Sequence, residues 1–184
     1  MASLRPQRRA RGYVLLLVLI ALLVLLLGAL FTLRTTLLQT VMTGNTLQRQ
    51  KDVQGSDLAL RLVEQLIVQT SQASDGQALE YAANGKSWFY VPATTPWTPP
   101  TYSGYWSTCS STSTTQPCAS VANMPSGYTA SFVVVPTNQP TDPYACQSTG
   151  YTAVYYDIFI HTSESSGATG ANTETVFKLC ATSS

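Results

Sequence analysis

Twenty-one uncharged, overwhelmingly apolar residues, from Tyr13 to Leu33, follow directly behind Gly12 and the arginines Arg5, Arg8, Arg9 and Arg11. A helix of that length, at ~1.5 Å per residue, crosses a hydrocarbon core of about 30 Å. The run is too long for the ~7–15-residue apolar region of an ordinary secretory signal. Its basic flank holds the N-terminus in the cytoplasm, which sends everything after the helix to the opposite side. Address and orientation are thus constrained before any site chemistry is considered.

The rest of the 184 residues suits one small domain. Only 10% of the chain is charged, against ~25% in a typical soluble domain. The net charge of +1 hides an asymmetry. From Asn45 onward five bases (Arg49, Lys51, Arg61, Lys86, Lys178) stand against all nine acids, a balance of −4. Phosphate recognition needs clustered Lys or Arg, so no nucleic-acid partner is expected, although Tyr102, Tyr105 and Trp106 could stack bases.

All four cysteines, Cys109, Cys118, Cys146 and Cys180, fall in the exported part. An even number in an oxidising compartment reads as two disulfides with three pairings open. Sequence-local pairing favours Cys109–Cys118 and Cys146–Cys180. A zinc site needs closely spaced ligand pairs, which spacings of nine, 28 and 34 residues do not supply. Neither a metal nor a cofactor is expected.

Helix is predicted to continue past the membrane run to about Gln72, since no proline interrupts it. Val53, Leu60, Val63 and Ile67, joined by Leu62 and Leu66, form a stripe at helical spacing, with Arg49, Asp52, Gln65 and Gln72 opposite. Gly28, Gly44 and Gly55 each weaken the helix by up to ~1 kcal/mol relative to Ala, with a bend expected at Gly44-Asn45. Ser74-Asp75-Gly76 supplies a stop. A one-sided stripe needs a cover. Strand patterns at 86–92, 128–135, 152–161 and 175–180 provide one, clearest where Val154, Tyr156, Ile158 and Ile160 alternate. The fold class is therefore α+β, a long N-terminal helix packed on a small antiparallel sheet with disulfide-tied loops. Residues 94–101 (with Pro96, Pro99 and Pro100), 107–116, 136–143 and 163–175 read as loops.

Catalytic constellations are weak. His161 is the only histidine, and no Gly-x-Ser-x-Gly elbow accompanies it. A strand histidine facing solvent or packed on a tyrosine is the simpler reading. Asp57 and Glu64 on one helix read as a solvated face. No phosphate loop, H-E-x-x-H or EF-hand loop occurs. No enzymatic activity is expected. Trp88, Trp97, Trp106 and neighbouring tyrosines between residues 81 and 106 either fill the core or form a platform for sugars or other flat surfaces.

The basic leader ending in Gly12, followed by an apolar helix, resembles the class III signal of type IV pilins and pseudopilins. That resemblance implies cleavage between Gly12 and Tyr13 by a prepilin peptidase and N-methylation of Tyr13. Residues 34–61 more narrowly resemble the PilX N-terminal family of minor pilins. Arg34-Thr35, Met42-Thr43-Gly44-Asn45, Arg49 and Asp57-Leu58-Ala59-Leu60-Arg61 fall in the family's register. The similarity covers about residues 8–65 and none is apparent beyond 75.

It implies a leader at 1–12, a transmembrane and fibre-core helix at 13–34, an amphipathic helix at 35–73, and a periplasmic β-rich head of pilin-like fold at 74–184. Most pilins carry a glutamate five residues into the mature chain, where this sequence has Leu17. A buried intramembrane charge needs a partner, so its loss suits either a subunit at the fibre tip or in the priming complex, or ordinary drift within the PilX group, which often lacks it. The implied role is a minor pilin that primes a type IV pilus, supporting twitching motility and adhesion. It would sit first in the inner membrane and then in the fimbrium at the cell surface. Implied partners are other minor pilins, the major pilin, the prepilin peptidase, the inner-membrane assembly platform, membrane lipid and, where one exists, a large tip adhesin. Rival readings are a type II secretion tip pseudopilin, a DNA-uptake minor pilin, or an uncleaved single-pass protein with an adhesive or sensory head. Tip pseudopilins usually carry a large helical insertion, which is absent here.

Overall fold

The computed structural model describes residues 10–92, 100, 103–164 and 170–182. Arg5, Arg8, Arg9, Pro96, Trp97, Pro99 and Tyr102 lie outside the described residues. The chain divides into two compact units, Met1–Leu47 and Gln48–Ser184. One element, α1 (Ala10–Gln72), runs through both.

In the first unit α1 is apolar on every side. Tyr13–Arg34 is the one helix among the described residues long and apolar enough to cross a membrane, and none of it is buried against other parts of the chain. No break occurs at Gly44-Asn45, where a bend is expected from sequence: both residues are helical. Thr43 and Thr46 donate their hydroxyls to the carbonyls of Gln39 and Met42, four residues back, at 2.8 and 2.9 Å, so both polar side chains are satisfied by the helix backbone on either side of the glycine.

The second unit is α+β. Four antiparallel strands, β1 (Ala119–Ser120), β2 (Tyr128–Pro136), β3 (Tyr151–Glu164) and β4 (Gly170–Thr182), lie in the order β1-β2-β3-β4. The β3–β4 hairpin is long, from Tyr151↔Thr182 to Ser163↔Gly170. It therefore incorporates the polar residues at both ends of 163–175, read from sequence as a loop. The even-numbered residues of β3 alternate as expected. Tyr156, Ile158 and Ile160 are buried, and Val154 packs beside them, in a core shared with Phe132 and Val134 of β2, Leu179 of β4, and Ala59, Val63 and Ile67 of α1. Burying each large apolar side chain here contributes about 1.5–3 kcal/mol.

The helix face that meets this core differs from the expected stripe. Asp52, placed on the solvent side by sequence, is only 5% exposed, whereas Val53, placed in the stripe, is 50% exposed. The buried positions are Asp52, Gly55, Ser56, Ala59, Val63, Ile67 and Ser71. Their N-terminal members are small because the sheet comes close there. A Cβ on Gly55 would stand 3.2 Å from both Thr162 Cγ2 and Tyr128 Cδ1. Small side chains win over large apolar ones at that end of the face, so hydrophobicity alone assigns it wrongly.

The helix ends at Gln72, next to the expected stop. Asp75 (φ 54°) and Gly76 (φ 78°) reverse the chain, and the Gly76 N–H bonds Ser71 O at 2.8 Å. Gly76 O then accepts from the Thr182 N–H at 2.8 Å, so this turn also holds the end of β4. Two short helices, α2 (Leu79–Ala82) and α3 (Ser103–Thr108), were not apparent from sequence.

Residues 86–92 do not form the expected strand. Only Phe89 bridges Val134, in parallel, through Val134 N–H to Trp88 O (2.7 Å) and Tyr90 N–H to Val134 O (2.9 Å). A turn through Lys86 and Phe89 precedes it, and Pro92 cannot donate to a ladder. The segment nevertheless caps the edge of β2 beyond β1 and sends Trp88 into the core. The cysteines pair as Cys109–Cys118 and Cys146–Cys180, with Cα separations of 5.7 and 5.9 Å, and none is free.

Candidate functional site

The proposed processing junction lies at the foot of α1. Gly12 is helical, and Tyr13, the residue after it, is 69% exposed. Leu17 is exposed four residues further along the helix.

The residues of the 34–61 motif separate by burial. Arg34, Met42, Gly44, Asn45, Arg49, Asp57 and Arg61 are all exposed. Ala59 is fully buried against the sheet, and Leu60 packs partly on the same core. Within the second unit Ala59 and Leu60 hold the helix to its own sheet while Arg49, Asp57 and Arg61 face outward; Arg34, Met42, Gly44 and Asn45 belong to the first unit. Asp57 is exposed and Glu64 half-exposed.

A polar seam joins α1 to the far end of the β3–β4 hairpin. Gln48 donates its side-chain amide to Glu164, and the hydroxyls of Ser56 and Thr173 bond each other. These contacts span 116 and 117 residues of chain, so they fix the helix against the hairpin at long range. Asp52, Gly55 and Ser56 escape sequence reasoning because small and acidic residues do not register in a hydrophobic period. Their i, i+3, i+4 spacing with Ala59 was the available signal.

No family model, curated protein or solved structure matches this chain. The outer face of the sheet carries a second, smaller core of Val133, Val135 and Phe159, covered by Tyr90 and Trp106. Trp106, in α3, donates its indole N–H to Pro100 O at 3.0 Å and stacks on His161, with ring centroids 5.6 Å apart and planes 15° from parallel. His161 thus packs on a tryptophan, not the tyrosine considered from sequence, and its Nδ1 donates to Asn172 Oδ1 at 2.7 Å. Tyr105 is buried and bonds Pro117 O at 2.7 Å. Trp88 and Trp106 are therefore packing residues.

At the opposite end of the inner face, the fully buried Tyr156 phenol accepts from the Leu79 N–H and donates to Glu80 Oε2, both at 2.9 Å. Burial pushes its ionisation far above the ordinary tyrosine range, with the Glu80 charge adding to the effect, so it stays a donor throughout. On the outer face, burial first and the neighbouring Glu174 charge second raise the Asp157 carboxyl. Among the described residues no three His, Cys, Asp or Glu side chains converge as metal ligands.

Proposed function

We propose that this chain is a minor pilin of the PilX type, with a pilin-like fold, that primes a type IV pilus and is incorporated at or near its tip. One observation carries the reading: Gly12 sits directly before the 22-residue candidate membrane span Tyr13–Arg34, whose only charge is at its end and none of which is buried within the chain. Such a surface requires lipid or the helices of other subunits to cover it. A cut before Tyr13 would leave that helix intact as an anchor and later as the packing element of a fibre. Leu17 brings no charge into the bilayer and so asks for no partner there, which suits a subunit that starts the fibre. In this reading the β-rich unit lies in the periplasm, held by disulfides, and its exposed motif residues Arg49, Asp57 and Arg61 meet neighbouring minor pilins. The subunit is structural and performs no catalytic step.

The test is mass spectrometry of the protein from native membranes. The expected species begins at N-methylated Tyr13. A chain that begins at Met1 overturns the pilin reading and favours the uncleaved single-pass protein. Deletion phenotypes in twitching, secretion and transformation then separate the fibre systems.

A further inference from the structure

Core packing takes up only some of the aromatic residues at 81–106. Trp88 is in the core and Trp106 lies on His161, but Tyr81 is 69% exposed. It stands on the wall of a cleft of about 660 Å³, lined also by Glu80, Gln77, Thr141, Thr152 and Thr182. Ligand sites commonly fall between about 300 and 1,000 Å³. Among the described residues, no Lys or Arg lines this one.

We propose that this cleft binds a neutral pyranose sugar. A pyranose presents an apolar C–H face and a rim of hydroxyls, and the lining offers a counterpart for each. The Tyr81 ring supplies a flat apolar wall. Glu80 supplies an acceptor whose orientation is already set, because the Tyr156 hydroxyl donates to its Oε2 at 2.9 Å, and we assign the second carboxylate oxygen to a sugar hydroxyl. Gln77 can both donate and accept, and the three threonine hydroxyls adapt to either role. Val154 and Ala181 complete the cleft with apolar surface. The acceptor does not need to be organised when the sugar arrives, since Tyr156 is itself fixed by the core and by the Leu79 N–H. With a carboxylate in the lining and no cation, anionic sugars such as sialic acid are repelled. The cleft's chemistry is independent of whether the chain is cut at Gly12.

The experiment uses the full chain in a sugar-free detergent. Saturation-transfer NMR is run with methyl pyranosides of glucose, galactose, mannose and N-acetylglucosamine, and with sialic acid. At least one neutral pyranoside is expected to receive saturation through its ring protons, while sialic acid receives none. Tyr81→Ala is expected to weaken binding at least fivefold, and Glu80→Gln to weaken it by a similar factor. Tyr144→Ala, at a tyrosine that is 94% exposed but not part of the cleft lining, should leave binding unchanged. The exposure of Tyr81 lets the Ala variant fold, which an unchanged unfolding midpoint verifies. Failure of every neutral pyranoside to bind, binding that survives Tyr81→Ala, or equal binding of sialic acid would each overturn the proposal.

Discussion

The same helix lives two lives on either side of Leu47. Before that residue its described side chains are exposed all round, and its apolar character has no counterpart within the chain. From Gln48 on it is buried on one face, where the occupants include an acid, a glycine and two serines. The apolar half is the one that buries nothing, and the more polar half is the one that packs. Hydrophobicity therefore reports what a segment needs, whereas side-chain size and close approach report what it receives.

That contrast can be broken most forcefully at Ile67, which is fully buried. Ile67→Ala should cost about 2–5 kcal/mol of stability in the second unit, whereas Leu23→Ala should leave the same thermal unfolding transition in place. Equal effects would mean that the two halves are not independent. Reduction of the disulfides comes next. Loss of Cys146–Cys180, which closes 34 residues, should cost about 4 kcal/mol, and loss of Cys109–Cys118, which closes nine, somewhat less. Scanning calorimetry of the paired Cys→Ser variants orders them. Tyr156→Phe removes both phenol bonds and leaves the Leu79 N–H unpartnered, for about 1–3 kcal/mol by denaturant titration.

Smaller effects sharpen the comparison. Gly44 has nothing within 4 Å of a built Cβ, so Gly44→Ala should stabilise the helix by up to ~1 kcal/mol, measured as helicity by circular dichroism during heating. Gly55→Ala should gain less or lose, because its Cβ crowds Thr162 and Tyr128. The smallest effect is at Asp157. Its carboxyl binds a proton more readily in the folded state, so its contribution to stability is full below the ordinary aspartate pKa and is lost as pH rises through the raised one. Asp157→Asn should therefore raise the melting temperature slightly at pH 7, and the difference should vanish below about pH 4.

Much of this architecture is legible in the sequence for identifiable reasons. The apolar run, the Ser74–Gly76 reversal and the alternation of Val154 to Ile160 are local patterns with a fixed period. What stayed hidden depends on partners far along the chain. Asp52 reads as a surface acid, and only the folded second unit buries it. Thr173 and Ser163 read as loop because their strand membership comes from backbone pairing, which leaves no hydrophobic trace. Residues 86–92 read as strand because aromatic residues mimic one, although only one residue bridges β2. The Tyr81–Glu80 cleft has no sequence signature, since its walls come from α2, the stretch after β2, and the ends of β3 and β4.

The bonds from Gln48 to Glu164 and from Ser56 to Thr173 carry a consequence for how the molecule comes into being. The face of α1 between residues 48 and 71 leaves the ribosome roughly a hundred residues ahead of the hairpin that shelters it. At ~5–20 residues per second that interval is roughly 5–20 s. During it an amphipathic helix waits with its partner not yet made. The acid and serines on that face make a purely apolar surface a poor substitute for the sheet, so the polar residues that obscure the packing face in the sequence also disfavour wrong partners until the last strand arrives.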